Sequence, residues 1–286
     1  MANFLYKRAL VFLMAFIVAA ATIPLQALAS PPGAKEMSFG PHNYQRLDIY
    51  PQAGLQKAPM LLYVHGGAWT LFDKSDVNEL PDLARRHGFI LASTDYRLGA
   101  GAGKAAEDVA GAVDWMVRNG PSYGGDPKQL YLMGWSSGGN TVSLVTVDPH
   151  YLKPYGRSNA DIAGVIGLDG AGYNAASQIH SFFIVLQPAL LGMWVVAFGA
   201  HAAEFSPTLL VHKDSHYPPF LLVYTFHPGG RYYTEQFAKK LRETGDTVAV
   251  LPAQGRTHEG VISYLDRKGD KSGERIVNFI ATGNPN

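Results

Sequence analysis

Two adjacent serines in the stretch LYLMGWSSGGN, residues 130–140, are the side chains best placed to do covalent chemistry. Gly134-Trp135-Ser136-Ser137-Gly138 fits the pattern G-x-S-x-G, with an apolar, strand-like run before it and a helical pattern after it. That context makes Ser136 the candidate nucleophile, held on a sharp strand-to-helix turn where flanking glycines let the two elements approach. Ser137 would contribute its backbone N–H, which points with the helix dipole at a developing oxyanion. A chance match in a serine- and glycine-rich turn is the alternative, and the flanking strand and helix count against it.

A serine needs further N–H donors, a base and an orienting acid. LLYVHGGAW, residues 61–69, supplies a glycine-rich loop after an earlier strand, and Gly67 and Ala68 are its candidate oxyanion donors. His65 reads as a buttress of this loop, and Trp69 as either packing or a pocket wall. In the chain order serine, acid, histidine, the base follows the last long strand, and His258 in QGRTHEG meets both conditions. The other nine of the ten histidines precede either the nucleophile or that last strand. The acid is harder to place. The loop after FLLVYT reads FHPGGR and holds no carboxylate before Glu235. Asp169, at the tip of GVIGLD, stands at the same sheet edge as Ser136 and is the preferred acid, with a turn or cap role as its bland reading. Asp214, Asp266, Asp270 and Glu259 stay open as alternatives, as does the absence of any acid.

These residues need a scaffold. Apolar runs at 46–50, 60–65, 89–94, 130–135, 164–169, 220–225 and 247–252 are mostly continuous, as in strands covered on both faces. Helical periodicity at 105–117, 138–147, 234–243 and 274–280 separates them. The pattern predicts an α/β fold with a mainly parallel central sheet, helices on both faces, and a small cap at 170–219 between the strands at 164–169 and 220–225. Within the cap, the apolar segment 181–200 is interrupted by Gln187, Pro188 and Gly192, so it reads as helix packed over the sheet, with membrane contact a weaker reading. Asp95-Tyr96-Arg97 reads as a set of charged ties between loops. LGAGAGK, residues 98–104, lacks phosphate-loop spacing and reads as a mobile connection beside the site.

HGGAW, STDYRL (93–98), YGGDPKQLYLMGWSSGG (123–139) and GRTHEGVISYL (255–265) together resemble the α/β-hydrolase superfamily. Within it they are similar to the esterase group that includes hormone-sensitive-lipase-like, feruloyl-esterase-like and kynurenine-formamidase-like enzymes. The similarity runs over residues 44–282 and implies a Ser-His-acid hydrolase of esters or activated amides; the expected function is a carboxylesterase acting on small or aromatic and apolar small-molecule esters, with an arylformamidase or amidase as the alternative. GWSSGG departs from the more frequent GHSAGG beside the nucleophile. The carboxylate-free FHPGGR loop leaves room for a non-catalytic binding protein on a decayed hydrolase fold.

Composition bounds the rest. Residues 1–29 carry a basic start (Lys7, Arg8), an apolar core and an Ala27-Leu28-Ala29 cleavage pattern, so they read as a signal peptide. A single domain over 30–286 and a secreted or periplasmic location follow from that reading. Without the leader the formal charge goes from +1 to −1, which offers no footprint for nucleic acid. Zero cysteines excludes disulfides and thiolate-held metal. No metal or dinucleotide motif is present, so no cofactor is expected.

Overall fold

The computed structural model describes residues 31–286 apart from 228, 266 and 268. The expected leader at 1–29 and the candidate acid Asp266 lie outside these residues. Eight strands make one sheet: β1 (Lys35–Ser38), β2 (Arg46–Tyr50), β3 (Ala58–Val64), β4 (Ile90–Thr94), β5 (Gly125–Trp135), β6 (Gly164–Leu168), β7 (Phe220–Tyr224) and β8 (Val248–Pro252). Their order is β1-β2-β4-β3-β5-β6-β7-β8. The β1–β2 and β2–β4 pairs are antiparallel, and β4 through β8 are parallel. The apolar runs read from sequence coincide with β2 to β8. The four-residue, largely exposed β1 has no such run, because an edge strand facing water needs none.

The longer helices are α1 (Leu80–His87), α2 (Ala102–Asn119), α3 (Ser137–Val147), α4 (Pro188–Phe198), α5 (Gly230–Arg242) and α6 (Lys271–Thr282). Successive strand side chains point to opposite faces. Leu62, Leu132 and Leu222 therefore pack with Val109, Val142 and Phe237 of α2, α3 and α5. Leu61, Met133 and Leu221 pack on the other side with Leu83 and Phe279 of α1 and α6. Each buried Leu, Val or Phe contributes roughly 1.5–3 kcal/mol, so continuous apolar strands stabilise both layers. α6 starts where the Asp270 carboxylate accepts from the N–H groups of Ser272 and Gly273. That capping role occupies Asp270, a residue considered above as an acid.

The cap sits where expected, between β6 and β7. Its apolar segment 181–200 is not one helix: a short turn, Phe182–Val185, ends before Pro188, whose missing N–H and fixed φ suit the first turn of α4. Among the described residues no helix is long and apolar enough to cross a membrane. α4 buries Trp194, Ala197 and Phe198, and the fully buried Trp69 ring meets Phe198 and Trp194 edge-on at 4.7 and 5.9 Å. LGAGAGK is not a loop throughout, since Ala102, Gly103 and Lys104 open α2. Arg97 just before it grips the buried Asp108 with Nε and Nη2, each at 2.7 Å from a carboxylate oxygen.

The junction of β5 with α3 sets the tightest packing constraint. A Cβ on Gly138 would lie 2.1 Å from the Val64 carbonyl oxygen, and one on Gly134 would lie 2.1 Å from the Gly138 oxygen. Both are backbone obstacles that cannot swing aside. Gly138→Ala should lower the unfolding free energy by more than ~2 kcal/mol, measured by urea denaturation. A loss within ~0.5 kcal/mol, the range of an ordinary surface substitution, would remove this account of the turn.

Candidate active site

Ser136 lies between β5 and α3 with φ 54° and ψ −119°, a conformation costly for a residue with a Cβ. Its own peptide group is spliced into the end of β6. The Ser136 N–H donates to Leu168 O at 3.0 Å, and its carbonyl accepts from Ala171 N–H at 2.9 Å and Gly139 N–H at 3.0 Å. Asp169 lies inside this bracket, with its N–H on Val223 O at 2.7 Å and φ at 45°.

Three of the sequence candidates come together here. His258 Nε2 is 2.9 Å from Ser136 Oγ, and His258 Nδ1 is 2.7 Å from Asp169 Oδ2. Asp169 is 1% exposed and is no helix cap. Its Oδ1 accepts from Thr225 N–H at 2.8 Å, and its Oδ2 from the Thr225 hydroxyl. Burial alone would raise this carboxyl, but hydrogen bonds and charge interaction with His227 and His258 outweigh it and hold the group well below the usual carboxylate range. The other candidates lie apart. Asp214 and Glu259 are exposed, and Asp270 caps α6.

The Gly67–Ala68 loop borders Ser136. A Cβ on Gly66 would lie 3.1 Å from Ser136 Cβ, and positive φ recurs at Gly67 (99°), Ala68 (50°) and Trp69 (60°). This run turns the chain sharply, and Gly67 O accepts from Leu71 N–H at 2.9 Å. The N–H of Ser137 stands in the first turn of α3, where helices have no internal acceptor for it. The loop is braced from below. Tyr96 OH donates to Gly66 O at 2.9 Å, and the His65 ring stacks on Tyr96 at 4.4 Å with Nδ1 2.8 Å from Gly66 O.

Three further residues carried no legible sequence signal. Trp135 Nε1 donates to the His258 carbonyl at 2.8 Å, and its ring lies 5.3 Å from the imidazole. The Trp in GWSSGG thus ties β5 to the His258 loop. Thr225, the last residue of FLLVYT, is the second partner of Asp169. His227, inside FHPGGR, places Nε2 3.3 Å from Asp169 Oδ1, and its ring lies 5.6 Å from that of His258. Asp169, His227 and His258 together offer three ligand atoms within 4.8 Å of one another, a grouping that no short sequence motif could reveal. Beyond His227, whose ring is 5.8 Å from that of Phe183, an apolar groove of about 450 Å³ is lined by Phe182, Phe183, Leu186, Tyr232 and Tyr233.

The BD-FAE family model matches residues 47–225, from β2 past the end of β7, a span that includes Ser136 and Asp169 but stops before His258. The "Probable isoprenylcysteine alpha-carbonyl methylesterase ICMEL1" of Arabidopsis thaliana is 26% identical over 273 residues, covering 88% of this chain and 56% of its own length. Esterase LipQ of Mycobacterium tuberculosis is 28% identical over 205 residues, covering 66% of this chain and 47% of its own. The chain thus spans about half the length of the curated relatives it matches. Among solved structures, esterase B from Lactobacillus rhamnosis superimposes with a TM-score of 0.73 at 18% identity, covering 99% of this chain and 96% of that one. Thermogutta terrifontis esterase 2 gives 0.72 at 15% identity, covering 89% and 95%. At such identities the likeness is one of fold, and the fold is that of the α/β-hydrolases.

The brace under the loop is sensitive to acid. Burial outweighs the Gly66 hydrogen bond and pushes the His65 imidazole down to about 4. The folded value lies below that of an unfolded histidine, roughly 6.5, so stability is fully present above that pH and is lost as pH falls towards 4. Between pH 7.5 and 5, wild type should lose ~2 kcal/mol more unfolding free energy than His65→Phe. Asp95, pushed up to about 7 by burial, titrates with the opposite sign but is common to both chains and cancels in the difference. Parallel pH profiles for the two proteins would refute a buried neutral His65.

Proposed function

The chain belongs to the BD-FAE family, and on that premise we propose that it is an exported serine hydrolase, a carboxylesterase acting on small-molecule esters. The observation that supports this most is the placement of His258 between two partners, 2.9 Å from Ser136 Oγ and 2.7 Å from Asp169 Oδ2. In this reading Ser136 attacks the ester carbonyl and His258 Nε2 takes the hydroxyl proton. The ionised Asp169 fixes the Nδ1–H tautomer and stabilises the imidazolium that forms. The N–H groups of Gly67, Ala68 and Ser137 receive the oxyanion. His258 returns the proton to the leaving alcohol, and water repeats the sequence on the acyl-enzyme.

Esterase names among the relatives support an ester over an amide substrate. A decayed, non-catalytic site is the weaker reading, because the carboxylate missing from FHPGGR has a counterpart in Asp169. The apolar cap and the groove beside Phe183 favour an ester with an apolar or aromatic part. The leader-like residues 1–29 support export to the periplasm or the medium.

A panel of p-nitrophenyl esters with variants of the three residues tests the reading. Ser136→Ala should lose turnover and lose labelling by a fluorophosphonate probe. Asp169→Asn should keep the fold and drop kcat by about 10³–10⁴. Undiminished hydrolysis by Ser136→Ala would sink the proposal.

A further inference from the structure

Asp169 is approached by two imidazoles from different elements, and only His258 reaches Ser136. His227 comes from the loop after β7 and takes the other carboxylate oxygen, at 3.3 Å. The simple function of an orienting acid calls for one histidine. Two histidines and one carboxylate, with ligand atoms all within 4.8 Å, make the three-ligand set that leaves a fourth position open on Zn²⁺. Tetrahedral ligands about 2 Å from the metal stand roughly 3.3 Å apart, close to the 3.3 Å of the His227–Asp169 pair. The two imidazoles meet different oxygens of Asp169, Oδ1 and Oδ2, so on binding the rings would have to draw together while the 2.7 Å His258–Asp169 pair opens.

The donor set suits a metal: one carboxylate and two imidazoles are ligand types that a borderline-soft cation accepts. The side chains of His227 and His258 are 24% and 31% exposed, so an ion can reach them from solvent, whereas Asp169 is sealed behind them. We propose that Asp169, His227 and His258 form a binding site for Zn²⁺, or a similar transition-metal cation, whose occupancy switches the triad off.

The switch follows from proton placement. A metal at His258 Nδ1 takes that lone pair, so the ring proton moves from Nδ1 to Nε2, with no net release from a neutral ring. Nε2–H then donates to Ser136 Oγ and can no longer accept its proton. The same ion engages the carboxylate that would stabilise an imidazolium. Mg²⁺ prefers an all-oxygen, octahedral shell and should not bind here.

Binding does not depend on the hydrolase reading, although the loss of activity rests on it, so the two are measured separately. Calorimetric titration of chelator-washed Ser136→Ala protein with ZnCl₂ reads the site without catalysis. One equivalent should bind in the micromolar range or tighter, weakened at least tenfold when His227→Gln or His227→Asn is added. In the active enzyme, ZnCl₂ should lower p-nitrophenyl ester turnover at least tenfold and EDTA should restore it, with MgCl₂ inert. The half-inhibitory zinc concentration should rise at least tenfold in the His227 variants, each referred to its own zinc-free rate. Two substitutions guard against a folding defect in one of them. Binding or inhibition with the same midpoint in wild type and both His227 variants would overturn the site, as would an absence of stoichiometric zinc binding. Inactivity of the wild type with zinc binding intact would strike the hydrolase reading and leave the site standing.

Discussion

The site depends on where the peptide group of Ser136 is bonded. Its N–H and C=O join it to Leu168 and Ala171, which bracket Asp169 and Gly170. Ser136 and Asp169 are therefore registered by backbone hydrogen bonds between adjacent strand ends, and no flexible side chain sets their spacing. The glycines around the turn make this possible, since any Cβ at Gly134 or Gly138 would strike main-chain atoms. The strained φ of Ser136 is sustained because its surroundings leave it no alternative.

Given that fixed base, the histidine has to be brought in from far along the chain, and it is held at three points. Its two ring nitrogens meet Ser136 and Asp169, and its carbonyl meets the Trp135 indole. Asp169 in turn is kept ionised within the interior by four donors, two from Thr225 and one from each imidazole. A buried carboxylate is tolerated only when its lone pairs are occupied in this way. The second histidine turns an ordinary acid–base pair into a convergent cluster.

Much of this was legible in the sequence, for local reasons. Continuous apolar runs marked β2 to β8 because both sheet faces are covered, and G-x-S-x-G marked Ser136 because the turn demands small residues at fixed offsets. His258 and Asp169 could be named from chain order and strand ends. What the sequence did not give away lies in contacts between distant segments. Thr225 looks like a strand terminus, Trp135 like packing, and His227 like one more histidine in a loop without a carboxylate. α1 leaves little mark in the sequence, because LPDLARRH buries only Leu80, Leu83 and Ala84, too short a stripe to separate from a loop. The glycines of 98–104 read as a mobile connection because they mask the helix start at Ala102.

The hydrogen bond from His258 to Ser136 spans 122 positions, and the one to Asp169 spans 89. Loop-closure entropy makes such long-range contacts late events in folding. Ser136 and Asp169 both lie before β7, whereas His258 follows β8. Pairing of the final strand, β8, is what delivers the imidazole. On the hydrolase reading proposed above, the base would reach the serine only once the last strand has joined the sheet.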